Sequence, residues 1–176
     1  MPTTRDLVLA VIAGESDQVR EMHAAGVPVT EPDPYGWLPI HRAAANDRDD
    51  ILRLLIEWGS PLEATGTEKW TPLHLASVSR SSRAVRALLE AGANLQARSA
   101  KGQTPLHLAV GPIVTDELLE TVRVLVGAGA DRDATDAEGT TPLGKAHEAG
   151  HPELQRLLER GATEPGAGAI RRQTQE

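Results

Sequence analysis

One tetrapeptide returns four times along this chain. Leu38-Pro39-Ile40-His41, Thr71-Pro72-Leu73-His74, Thr104-Pro105-Leu106-His107 and Thr141-Pro142-Leu143-Gly144 carry prolines spaced 33, 33 and 37 residues apart. Each copy leads to a Leu-rich run that closes on a glycine, at Gly59, Gly92, Gly129 and Gly161. An earlier copy keeps the register without the tetrapeptide, since Gly26 lies 33 residues before Gly59 and Asp6 lies 33 before Pro39. A fixed period of this length means one supersecondary unit repeated, each copy burying its apolar face against its neighbours.

The chemistry of the unit explains its shape. Proline in a first helical turn gives up no needed hydrogen bond and presets φ, and a threonine before it accepts an otherwise orphaned N–H. A first helix therefore starts at each tetrapeptide. Small residues such as Ala43, Ala44 and Ala76 let it approach the next unit closely. A second helix carries an apolar stripe, Ile51, Leu54 and Leu55 in one copy and Val85, Leu88 and Leu89 in the next. Gly59, Gly92 and Gly129 end that helix, because glycine enters the left-handed region without steric cost.

The recurring tetrapeptide, its period and the closing glycine resemble the ankyrin repeat family over about residues 4–162. That resemblance implies an all-α repeat solenoid of stacked helix-turn-helix units with β-turn fingers. The units run approximately 4–32, 33–65, 66–98, 99–135 and 136–162, and the stretch 163–176, with Pro165, Gly166 and Gly168, reads as a disordered C-terminal tail. Leu38 in place of Thr, Lys69 in place of the finger glycine and Gly144 in place of His mark the less regular fingers. The third motif-bearing unit holds four extra residues around Gly111-Pro112-Ile113-Val114-Thr115, which predicts a protruding loop.

Composition narrows the function. Cysteine is absent, which excludes disulfides, thiolate metal sites and cysteine nucleophiles. A net charge of −7 opposes general attraction to phosphate backbones. No apolar run approaches membrane-spanning length, and the expectation is a cytoplasmic monomer with no membrane or nucleic-acid partner. His41, His74 and His107 hold one repeating position, for which the resemblance implies hydrogen bonds tying fingers to helices. No zinc-ligand spacing, phosphate loop or nucleophile elbow appears, so no catalytic, metal or cofactor residue is assigned and the chain is read as non-enzymatic.

The aromatic residues carry the functional signal. Phenylalanine is absent, and the chain has three Trp and one Tyr. Trp37 and Trp70 fall at the same place in successive fingers, with Tyr35 two residues before Trp37; by the resemblance these fingertips are variable and face the concave side. Trp and Tyr are enriched among residues that dominate binding energy. The competing reading has Trp37 packing over the neighbouring finger. Arg42 stands where later units have Leu75 and Leu108, and fits either a cation-π contact with Trp37 or an ion pair with local acids. The candidate partner-binding set is Tyr35, Trp37, Arg42, Asn46, Lys69, Trp70, Lys101 and Gln103.

Charge is segregated. Residues 69–111 hold one acid and six basic residues, between a leading segment of 12 acids and 5 basic residues and a trailing one of 12 and 7. This band is either a solvated mixed surface or a steering element for an acidic partner. The expected function is a protein-protein interaction module using the concave finger and first-helix surface. The alternative is a cognate inhibitor or immunity protein that blocks a partner enzyme.

Overall fold

The structure is a computed structural model describing residues 2–160; the tail expected over 163–176 and the closing Gly161 lie outside the described residues. Among the described residues ten α-helices follow one another in five pairs: α1 (Thr4–Ala13) and α2 (Ser16–Ala24), α3 (Pro39–Ala45) and α4 (Asp49–Glu57), α5 (Pro72–Val78) and α6 (Ser82–Glu90), α7 (Pro105–Ala109) and α8 (Asp116–Gly127), α9 (Pro142–Glu148) and α10 (Pro152–Arg160). The first helices pack on one another in order along the chain, and so do the second helices, giving a two-layer stack. No strand occurs among the described residues.

Local chemistry starts each first helix. Pro39, Pro72, Pro105 and Pro142 sit in the opening turns of α3, α5, α7 and α9. Helix α1 has no proline and begins instead with a capping box, in which Thr3 and Asp6 satisfy each other's backbone N–H groups. The core runs between the layers through Leu7, Ile40, Ile51, Leu55, Leu73, Leu88, Leu106, Leu118, Leu125 and Leu154, all fully buried. The extra residues of the fourth unit, the third to bear the tetrapeptide, shorten α7 and form a loop with Ile113 65% exposed. That loop leans on the following unit, whose His151 Nε2 lies 2.7 Å from the Pro112 carbonyl oxygen.

The three repeating histidines are fully buried ties. The Nδ1 atoms of His41, His74 and His107 accept the backbone N–H three residues earlier, at Leu38, Thr71 and Thr104. That leaves Nε2–H to donate into the next finger, to Ala64 at 2.9 Å, Gln103 at 3.0 Å and Thr140 at 3.1 Å. Burial holds all three imidazoles below the ordinary histidine pKa, partly offset by their carbonyl partners.

Candidate finger surface

Each unit is linked to the next by a finger, and three of the fingers share one construction. The chain turns back with Gly36, Gly102 or Gly139 in the left-handed region. A side-chain oxygen three residues earlier pins the turn. Asp33 Oδ1 accepts the Tyr35 and Trp37 amides, Ser99 Oγ those of Lys101 and Gln103, and Asp136 Oδ1 those of Glu138 and Thr140.

The second finger is built differently. Its pinning position is Gly66, which has no side-chain acceptor, and its glycine position is Lys69. The turn closes instead from Trp70 N–H to the Thr67 carbonyl at 3.2 Å. Glu68 (φ 57°) and Lys69 (φ 55°) are both left-handed, the geometry of a two-residue type I′ hairpin turn made without glycine. Placing non-glycine residues there costs roughly 1–2 kcal/mol each.

Trp37 accounts for the glycine at this finger's pinning position. Its indole lies across Gly66, and a Cβ added there would run into Cε3, Cζ3 and Cδ2 of the ring. The same ring meets His41 edge-on, with centroids 5.2 Å apart. Packing over the neighbouring finger is thus what Trp37 does, and the glycine at 66 is the space it requires. Nothing in the recurring pattern marks Gly66, because its importance lies in a partner 29 residues away.

Tyr35 is the exposed member of the group, at 71%. Its ring lies below the Arg42 guanidinium, with Cζ 5.9 Å from the centroid. Of the two contacts the sequence allows Arg42, the ion pair with a local acid is the one formed, to Asp33, and the guanidinium stands over Tyr35 rather than Trp37. Nε and Nη2 of Arg42 reach Asp33 Oδ2 at 2.9 and 2.6 Å. Burial would raise the Asp33 carboxyl, but the Trp37 and Tyr35 amides and Arg42 outweigh it and hold its pKa below the usual carboxylate value. Pro34, Tyr35, Trp37, Arg42 and Thr67 line an open cleft between the first and second fingers. With Arg42 neutralised by Asp33, this cleft is aromatic and close to electroneutral.

The remaining candidates are spread beyond it. Trp70 is half-buried at the base of the second finger, and Lys69 and Lys101 are exposed at fingertips. Gln103 is half-buried, with its carbonyl serving His74. Asn46 stands at the opposite end of α3, its Nδ2 donating to the Arg42 carbonyl at 2.8 Å. Trp58 is half-buried and stacks on His23 at 3.9 Å between centroids.

Half of the basic band is engaged within the chain. Arg83 pairs with Asp47 at 3.0 Å and Asp49 at 3.5 Å, and Arg86 with Glu120 at 2.5 Å. Arg98 donates to the Gly102 and Thr135 carbonyls. These are contacts between successive units, so the band reads as a stacking surface. Among the described residues, no group of three or more His, Cys, Asp or Glu is placed to hold a metal ion, and no helix is long and apolar enough to cross a membrane.

Comparison with known proteins agrees with this architecture. A family model for ankyrin repeats in three copies matches residues 7–99 and 59–116, and a single ankyrin repeat model matches residues 101–137. The palmitoyltransferase Hip14 of Drosophila melanogaster is 38% identical over 63 residues, covering 36% of this chain and 10% of that protein. The chain thus spans about a tenth of the length of this relative, in a match confined to the repeat region.

Proposed function

The chain belongs to the ankyrin repeat family, and from that premise we propose that it binds a protein partner through the concave surface around Tyr35, Trp37 and Arg42. Ankyrin repeats as a class mediate protein-protein interaction and are typically non-catalytic. The observation that carries the site is the state of Tyr35. A large aromatic ring is 71% exposed, yet its backbone amide is held by Asp33 and its face is covered by Arg42. An aromatic fixed in this way loses little conformational freedom on binding, which is how tyrosine contributes at interfaces. Lys69 and Lys101 extend the surface along the fingertips, while Asn46, Trp70 and Gln103 border it.

Affinity capture from host lysate with quantitative mass spectrometry tests this, comparing the native chain with Tyr35→Ala. Tyr35 is the informative substitution because its ring is 71% exposed, whereas Trp37 packs against the second finger. A protein enriched by the native chain and lost by Tyr35→Ala of unchanged melting temperature is the expected result. Equal capture by both removes Tyr35 from the interface.

A further inference from the structure

The fingers are joined by backbone hydrogen bonds, and one of the junctions lacks its bond. The Ala100 N–H donates to the Glu68 carbonyl at 2.7 Å, and the Ala137 N–H donates to the Lys101 carbonyl at 2.9 Å. In each case the donor lies four residues, and the acceptor three residues, before the threonine of its own tetrapeptide. At the first junction the same register names the Thr67 N–H and the Tyr35 carbonyl. That bond is absent, and among the described residues neither group has another hydrogen-bond partner. This junction differs from the others in two ways: the Trp37 indole occupies the space over Gly66, and the turn runs through left-handed Glu68 and Lys69. Tyr35 and Thr67 are both exposed, and both line the cleft between the two fingers.

We propose that this cleft takes one peptide group of a partner's extended main chain, whose N–H donates to the Tyr35 carbonyl and whose carbonyl, pointing the opposite way across the trans amide, accepts from the Thr67 N–H. The inserted peptide group replaces the missing rung of the finger ladder, a form of strand addition in which main-chain bonds carry affinity and side-chain pockets carry selectivity. The lining fixes the side chain. Tyr35, Trp37 and Pro34 offer apolar surface, and Arg42 is already neutralised by Asp33 at 2.6 Å, so an uncharged apolar residue fits and a carboxylate gains nothing. This inference rests on the binding surface proposed above and adds the mode of recognition.

Selection of short random peptides displayed against the immobilised chain, followed by amide NMR and hydrogen exchange with the selected peptides, tests it. In the free chain the Thr67 amide should exchange faster than those of Ala100 and Ala137. A bound peptide should protect Thr67, and N-methylation at one peptide residue should weaken binding at least about tenfold, as expected for loss of a desolvated hydrogen bond. Peptides that require Tyr35 but leave Thr67 unprotected and tolerate N-methylation throughout would overturn the inserted strand while leaving the Tyr35 surface standing. A selection yielding only peptides indifferent to Tyr35→Ala overturns both. Protection of Thr67 in the free chain that appears only at high concentration assigns the cleft to a second copy and overturns the peptide reading.

Discussion

Trp37 and Gly66 fit together across two fingers: the indole fills the volume that any side chain at 66 would need. A residue absent from the repeat pattern is thus matched to one that the pattern leaves variable. The exposed cleft, the type I′ turn and the missing ladder bond all lie around this pair.

Gly66→Ala should destabilise the chain by about 1–3 kcal/mol, the usual cost of forcing extra volume into a packed contact. Combined with Trp37→Ala, the alanine should cost much less, since the ring that excludes it is gone. Urea denaturation of the two single variants and the double variant measures this coupling. Strictly additive effects would contradict the contact.

Lys69→Gly should stabilise by about 1 kcal/mol, because glycine takes the left-handed conformation at 69 without the penalty that lysine bears. A rise in melting temperature is the expected readout. No change would mean that the turn relaxes in solution.

Stability should fall as pH drops below about 6.5, the unperturbed histidine value. Burial depresses the folded pKa of His41, His74 and His107, so below that pH the unfolded chain takes up protons that the native chain refuses. The stabilisation is fully present above about 6.5 and is lost on acidification, by up to about 1.4 kcal/mol per pH unit for each histidine. The depressed carboxyl of Asp33 acts in the same direction only at much lower pH, below about 3.9. Urea midpoints between about pH 7.5 and 5.5, above and below the histidine pKa, isolate the imidazoles. A flat profile would show that they remain protonatable in the fold.

Leu88→Ala should cost about 2–5 kcal/mol, since Leu88 is fully buried in α6 in the middle of the stack. Because contacts run between neighbouring units, the loss should also separate the unfolding of the two halves into distinct steps. Calorimetry would show a broadened or split transition, and an unchanged single transition would contradict nearest-neighbour stacking.

The sequence by itself determined the repeat, the helix starts at Pro39, Pro72, Pro105 and Pro142 and the glycine ends, and its resemblance to the ankyrin family implied the structural role of the histidines. Those features are set by interactions within a few residues, or by a contact that recurs in three successive units, so a repeating position exposes them. Only the tertiary structure decided that Trp37 packs on Gly66, that Arg42 covers Tyr35 on its way to Asp33, and that Arg83 and Arg86 are matched by acids of adjoining units. Each of these joins side chains whose mutual distance depends on how one unit sits on the next. A one-dimensional pattern lists both partners without saying which of their many neighbours they meet. The finger that departs most from the repeat is where that difference matters: stacking geometry there leaves one donor, one acceptor and one aromatic ring facing outward.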